Sequence, residues 1–340
     1  MGVKKRLIKQ RIRIVQFGCG PVGCAIARLA STKANIEIVG AIDLVNVGED
    51  LGEIANINRK LGVLISSDPD AVLSQTKPDV VLLATSSSLQ KIYPQLERIT
   101  RAGSNVVSTC EELAYPYKKQ PELAAAVDRL ARGYQVTILG TGVNPGFLMD
   151  IWPLFMTGVC QEVKQIRAVR IQDASHRRLP FQKKIGAGKT VQDFDELVKA
   201  GTLKHVGLPE SIAMIAAGLD WELDDIVEII EPIIAESEVK SSYITVKPGQ
   251  VAGVKQVGRG LKHDRELITL EFQAYIGAEE SCDVVYVTGT PNMEVGIKGG
   301  THGDIATAAI VINSIPRVLA APPGLTTMKD LPVVCALPKA

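Results

Sequence analysis

The sequence predicts an α/β chain in which an N-terminal doubly wound parallel sheet is followed by an α+β domain with a mainly antiparallel sheet. Three observations carry that expectation. Short apolar runs alternate with helical patterns from residue 13 to residue 139. A glycine-rich turn joins the first run to the first helix. Beyond residue 146 the strand-like runs lengthen and are separated by glycine and proline, the punctuation of an antiparallel sheet.

Residues 13–17 form the first apolar run, and a helical pattern covers 21–31. Residues 36–42 are nearly continuous in apolar side chains, as a strand buried on both faces requires. A third strand is expected at 63–65, after which Asp68 and Pro69 supply an N-cap and a first-turn proline for a helix. Strands at 79–84, 105–109 and 135–139 alternate with helices at 89–102 and 121–131. Repeated units of this kind build a parallel sheet with helices on its faces. The second domain reads as a long strand at 163–173, helices at 191–200 and 209–219, and strands at 242–247, 251–258, 266–274 and 283–288. A last apolar helix at 305–319 is expected to return to the first domain. The expected boundaries are 1–146, 147–300 and, for the returning helix and tail, 301–340.

At 340 residues the chain exceeds one ordinary core. Lys and Arg number 38 against 37 Asp and Glu, so no global field draws nucleic acid or an anionic membrane. The basic run at 4–13 reads as a solvated lead into the first strand. Aromatic residues make up 4%, too few for a surface that stacks bases. No run approaches the ~18–20 apolar residues of a membrane span, and no signal-peptide pattern opens the sequence. The six cysteines, at 19, 24, 110, 160, 282 and 335, include no C-x-x-C pair. They are expected to be buried thiols of a reducing compartment, with neither disulfide nor metal site. A soluble, cytoplasmic protein acting on small molecules is the class that remains.

Gly18, Gly20 and Gly23 form G-x-G-x-x-G directly after a strand and at the start of a helix. In the Rossmann dinucleotide fold the first glycine makes the tight turn, the second lets the pyrophosphate approach the backbone, and the third lets helix and sheet pack closely. Cys19, Pro21 and Val22 complete the turn, whose backbone N–H groups lie at the positive end of the helix dipole. Asp43 ends the second strand, where an acid accepts the ribose hydroxyls. It would repel a 2′-phosphate, and Leu44, Val45 and Asn46 add no cation, so NAD is preferred. NADP stays open, because Arg59 or Lys60 could fold back toward the adenosine. Thr85 and Ser86 end the fourth strand on the ligand-binding edge, or serve as turn and cap formers before the next helix. Residues 186–190 (GAGKT) end like a phosphate-binding loop, but Lys183 stands where its first glycine is required, so they read as a turn.

The fifth strand runs into Glu111 and Glu112. A carboxylate here would face a nicotinamide ring across the cleft between domains and act as a general acid/base. Equally, two acids can open a helix, where the dipole favours them. Residues 140–147 hold three glycines and a proline, which specify a backbone path. Gly142, Asn144, Pro145 and Phe147 are the ligand-binding candidates there, and a hinge is the compatible alternative. His302 precedes the last helix and could touch substrate. His176, with Arg177 and Arg178, begins a basic loop that either holds a substrate carboxylate or lies in solvent, solvent being the simpler reading. His205 could simply order a loop.

The segments 108–116 (STCEELAYP), 140–147 (GTGVNPGF), 205–216 (HVGLPESIAMIA), 231–234 (EPII) and 323–332 (PGLTTMKDLP) together resemble the 2,4-diaminopentanoate dehydrogenases and the related native amine dehydrogenases. The resemblance implies a fold like dihydrodipicolinate reductase, with a second-domain sheet that often forms a homodimer interface. It also implies NAD(P)-linked oxidative deamination of an amine, or reductive amination of a ketone or aldehyde with ammonia. It maps the catalytic glutamate onto the Glu111–Glu112 pair. Glu111 is the choice, since similar homoserine dehydrogenases carry a functional lysine at that place. A carboxylate suits the chemistry, because the transient iminium is a cation. Two alternatives stand beside this reading. One is a dihydrodipicolinate reductase-like imine reductase, whose K-x-D-x-P-S-G-T motif is absent; the other is a non-catalytic dinucleotide-binding protein.

Overall fold

A computed structural model describes residues 11–339, so most of the basic run at 4–13 lies outside the described residues. The chain divides into two compact units. One runs to Gly146 and resumes at Gly303; the other is Phe147–His302.

The first unit alternates strand and helix: β1 (Ile12–Phe17), α1 (Pro21–Ala30), β2 (Ile36–Ile42), the single turn α2 (Leu51–Ile54), β3 (Ile65–Ser66), α3 (Pro69–Thr76), β4 (Val80–Leu83), α4 (Leu89–Arg101), β5 (Asn105–Ser108), α5 (Pro121–Gly133) and β6 (Thr137–Gly140). Every residue of β4 and β6 is buried, which is why these strands read as continuous runs rather than as alternation. Leu89, Ile92, Leu96 and Ile99 of α4 pack with Ala124, Val127 and Ala131 of α5 against the strand residues Val81, Val106 and Ile138. Asp68 caps α3 by accepting the Ala71 N–H at 3.0 Å, with Pro69 at the first helical position. The connection after β2 is held by Asp50, which is 5% exposed. Its Oδ1 accepts the N–H groups of Gly52 and Leu61 at 2.8 and 3.0 Å, and its Oδ2 accepts that of Gly62 at 2.7 Å. Burial alone would raise this carboxyl, but the backbone donors outweigh it and hold it below its ordinary value.

The second unit contains α6 (Ile151–Thr157), β7 (Glu162–Asp173), α7 (Leu179–Lys184), α8 (Val191–Lys199), α9 (Leu208–Gly218), β8 (Asp225–Ile234), a small ribbon of β9 (Val239–Lys240) and β10 (Thr245–Val246), β11 (Val251–Lys262), β12 (Arg265–Tyr275), β13 (Cys282–Thr290) and β14 (Met293–Lys298). Its main sheet has the order β14-β13-β7-β12-β11-β8. Neighbours are antiparallel except β7 and β12, which run parallel. Helix α9 lies on β11 and β12, and two glycines let it come close. A Cβ on Gly258 or Gly260 would stand 2.9 or 2.8 Å from the Ile212 side chain. The strand expected at 242–247 is reduced to the ribbon β9–β10, while β8, an edge strand that tolerates Pro232, was not anticipated. The GAGKT segment is a turn: Gly186 and Gly188 both take φ +80°, and Thr190 caps α8 in reciprocal bonds with Asp193.

The chain then re-enters the first unit. α10 (Gly303–Ala320) packs on α1 and buries Ala308, Ile310, Val311, Ile312, Ile315 and Val318. Among the described residues it is the one helix with the length and hydropathy of a membrane span, so the expectation that no run approaches one is corrected. Its packing accounts for the apolar composition, as in the core helix of a globular domain. β15 (Gly324–Thr326) pairs parallel with β6 and completes a seven-stranded parallel sheet, β15-β6-β5-β4-β1-β2-β3.

Asp50→Asn should cost about 1–3 kcal/mol of stability, because it replaces an acceptor of several backbone N–H groups by one with half the capacity. The folded carboxyl is depressed, so its stabilisation is complete above the unfolded value of 3.8 and is lost as pH falls through the lower folded value. Thermal melts of wild type and variant should therefore converge in strong acid; a gap that stays constant below pH 3.8 would contradict this.

Candidate active site

The glycine turn is built by close approach. A Cβ on Gly23 would lie 1.8 Å from the Gly18 carbonyl oxygen, and one on Gly18 (φ +92°) would lie 2.5 Å from the Ala84 carbonyl oxygen. A Cβ on Gly20, by contrast, would meet no atom within 4 Å. Two glycines are thus demanded by the protein's own packing, and the third leaves the backbone of the turn approachable from outside. Gly20 is the N-cap of α1 and contributes no side-chain cap, with Pro21, which has no N–H, at the first helical position. The N–H groups of Val22 and Gly23 belong to the first helical turn, which has no intrahelical acceptors for them. This is a cradle that suits the pyrophosphate of a dinucleotide.

Asp43 accepts the Cys19 N–H on Oδ2 and the Val45 N–H on Oδ1, the latter at 3.0 Å. It therefore ties the glycine turn to the end of β2. Leu44 and Val45 beside it are 84% and 64% exposed, an apolar surface where the adenosine would lie. Of the two cations that could reach toward a 2′-phosphate, Lys60 pairs with Glu53 at 3.1 Å on the surface. The Cys19 thiol is pushed up to about 12 by burial, with Asp43 adding to the shift. Cys19, Cys24 and Cys110 are buried and all six cysteines are free thiols, but Cys160 and Cys282 are half-buried and Cys335 is exposed.

The exits of β4, β5 and β6 line up along the same edge of the sheet. The Thr85 methyl lies 3.0 Å from where a Gly18 Cβ would be, and its hydroxyl donates to Gln95 Oε1 at 2.6 Å. Ser86 Oγ accepts the Ser88 N–H, a local turn bond. Glu111 and Glu112 open a 3₁₀ turn (Glu111–Leu113) directly beyond β5. Glu112 Oε2 accepts the N–H of Leu89, the first residue of α4, and the Gln120 side-chain amide, both at 2.9 Å. Lys119 stands 3.8 Å from its other oxygen. Glu112 thus spends its carboxylate on capping α4. The half-buried Glu111 precedes it on the same turn. Gly140, at the end of β6, holds this turn in place: a Cβ there would lie 2.4 Å from the Leu113 carbonyl carbon. Beyond Gly140 the residues Gly142, Asn144 and Pro145 are buried, Asn144–Pro145 is cis, and the Val143 N–H donates to Thr307 Oγ1 of α10 at 3.3 Å.

The candidates of the second unit separate. Phe147 is half-buried and its carbonyl accepts the Trp152 N–H at the start of α6. His176 is 89% exposed, 3.8 Å from Asp173. Arg177 is not in solvent: it is 7% exposed, donates to Gln172 Oε1 at 2.9 Å and lies over the Phe181 ring. Gln172 in turn donates to the Thr301 carbonyl, which also accepts from Arg170. Arg170 and Asp283 form a buried pair at 2.6 Å, and Asp283 accepts the Thr301 N–H. This network anchors the backbone just before the exposed His302. His205 orders a loop: its backbone exchanges two hydrogen bonds with Gln256, and its ring stacks on Phe272. One residue of the first unit was not singled out from the sequence, the buried Gln16 beneath the glycine turn. Its signal was a lone carboxamide inside an apolar strand.

The family model of the 2,4-diaminopentanoate dehydrogenase C-terminal domain matches residues 147–340, and that of the dihydrodipicolinate reductase N-terminus matches residues 12–110. The chain is 36% identical to the 2,4-diaminopentanoate dehydrogenase of Acetoanaerobium sticklandii, covering 96% of this chain and 95% of that one. It is 23% identical to an amine dehydrogenase of Streptomyces virginiae, over 95% of this chain and 96% of the other. Among solved structures, an amine dehydrogenase from Mycobacterium smegmatis superposes with a TM-score of 0.85 at 28% identity, covering 96% of this chain and 98% of that one.

The glycines should respond differently to alanine. Gly23→Ala should destabilise the protein by ~3 kcal/mol, because a backbone oxygen must move. Gly20→Ala should melt within ~0.5 kcal/mol of wild type and yet weaken dinucleotide binding at least about tenfold. Thermal melts and a fluorescence titration with NADH check both. Unaltered NADH binding by Gly20→Ala would refute the cradle.

Proposed function

Because the chain belongs to the 2,4-diaminopentanoate dehydrogenase family, we propose that it is an NAD(P)-dependent amine dehydrogenase. Its substrate is a 2,4-diaminopentanoate-like or simple alkyl amine, and its reverse reaction is reductive amination of a ketone or aldehyde with ammonia. The observation that carries the reading is the 3₁₀ turn after β5, which sets two carboxylates at the exit of the strand, Glu112 on the first N–H of α4 and the half-buried Glu111 just before it.

A bound nicotinamide dinucleotide supplies the hydride acceptor in deamination and the hydride donor in reverse. Gly18, Cys19, Gly20, Pro21, Val22 and Gly23 would hold its phosphates by backbone and helix dipole. Asp43 would accept the ribose hydroxyls, a role compatible with its bonds to Cys19 and Val45 because a carboxylate has about four acceptor positions. Its charge opposes a 2′-phosphate, which makes NAD the preferred cofactor. Glu111 stabilises the iminium cation left on the substrate and takes a proton from the water that hydrolyses it. In reverse it carries the protons as ammonia adds to the carbonyl. Glu112 acts by position, holding the turn. Thr85, Gly142, Asn144, Pro145, Phe147 and His302 are the proposed surroundings of cofactor and substrate. Ser86, in a local turn bond, and His176, exposed to solvent, stand outside that set.

The sheet face of the second unit opposite α9 carries half-buried Val169, Ile171, Val257, Val284 and Tyr286. Arg167 and Lys255 on that face both pair with Glu271. We assign this face to pairing of two copies in a homodimer. The six free thiols suit the cytoplasm.

An assay of NADH formation with 2,4-diaminopentanoate and a panel of alkyl amines tests the activity. Glu111→Gln should lower kcat by about 10²–10⁴-fold while leaving NADH affinity unchanged. Glu112→Ala should cost ~1 kcal/mol of stability as a lost helix cap. Retention of most activity in Glu111→Gln would remove the residue from this role.

A further inference from the structure

We propose that Gln16 is a positioning residue for dinucleotide binding, setting the direction of the Gly18 peptide from beneath. The inference rests on the cofactor reading above and adds a residue to it.

Gln16 sits in β1 between Val15 and Phe17, wholly buried, in a strand whose other inward residues are apolar. Its Nε2 donates to the Gly18 carbonyl at 2.9 Å and to the Leu82 carbonyl of β4 at 3.2 Å. A Cβ on Gly23 would stand 2.9 Å from the same nitrogen. The carboxamide therefore touches the turn and the first helical turn of α1 together. Its Oε1 is buried and has no hydrogen-bond partner among the described residues.

Those facts do not describe a residue kept for stability. A buried amide with half of its polar atoms unsatisfied gives back much of what its donors contribute. An apolar side chain of similar size would fill the same volume without that penalty. What an apolar side chain cannot do is hold the Gly18 carbonyl inward. A peptide plane is rigid, so fixing that carbonyl fixes the N–H of Cys19 on its other side. That N–H is the group Asp43 accepts. Gln16 and Asp43 thus grip one peptide from opposite ends, and the amides that follow it are the ones proposed for the phosphates. Preorganised donors bind an anion without the cost of ordering them at the moment of binding.

Two variants test this in the full-length protein, with wild type titrated first. Gln16→Leu removes the donor. The Kd for NADH and the KM for NAD should both rise about tenfold, a change equal to ~1.4 kcal/mol. kcat at saturating dinucleotide should change far less. Gln16→Glu keeps the shape but turns the donor into a titrating group facing two carbonyl oxygens. Burial and those oxygens raise its pKa, so the acid form still donates and the ionised form repels. Its NADH affinity should weaken about tenfold between roughly pH 6 and pH 8, beyond any change in wild type. Wild-type affinity in Gln16→Leu, or a flat pH profile in Gln16→Glu, overturns the proposal. If neither variant folds, Gln16 is a stabilising core residue and the proposal fails. Failure of wild type to bind NADH or NADPH would instead remove the cofactor reading itself.

Discussion

Helix α1 begins almost in contact with the strand that feeds it, and the separation between the Gly18 carbonyl and the Gly23 Cα leaves no room for a methyl group. That approach decides more than the pitch of one turn. It places the N–H groups of the first helical turn on the same edge of the sheet as the exits of β4, β5 and β6, with β4 the immediate neighbour. The Cys19 thiol of the same turn packs among Ala27, Ala41 and Leu51, and burial pushes it up to about 12, so it stays protonated. A thiolate there would have set a negative charge into a turn proposed to receive phosphates.

A second close approach organises the neighbouring part of the edge. Gly140 lets β6 press its backbone against the 3₁₀ turn, and the turn responds by presenting two consecutive glutamates in different surroundings. One is tethered to the start of α4 and to Gln120. Because neighbouring residues on a tight helix point in different directions, tethering one constrains the aim of the other.

Much of the first unit could be read from residue order, since strands buried on both faces announce themselves as apolar runs and Asp68–Pro69 marks a helix start without ambiguity. The seventh strand could not, because three residues, Gly324–Thr326, are too few to establish a period. In the second unit β11 runs on through Gly258 and Gly260, where reading stopped, because glycine there serves the approach of α9 rather than a turn. β8 carries proline and glutamates that an edge strand accommodates and a central one would not. The glycine motif and the Glu111–Glu112 pair were legible as candidates, since each follows the end of a strand. That Glu112 holds the start of α4 depends on its contact with Leu89, 23 residues earlier in the chain, which residue order does not announce. Arg177 looked like a surface cation because a charge cluster says nothing of the ring it lies across.

The first unit is discontinuous in sequence, since β15 and α10 arrive after the whole of Phe147–His302. As the polypeptide leaves the ribosome, the sheet would reach its sixth strand with β6 as a bare margin. Its unpaired backbone and the apolar seat of α10 then await the last segment. Synthesis at ~5–20 residues per second leaves that margin open for many seconds, an interval in which the nascent chain depends on shielding against self-association.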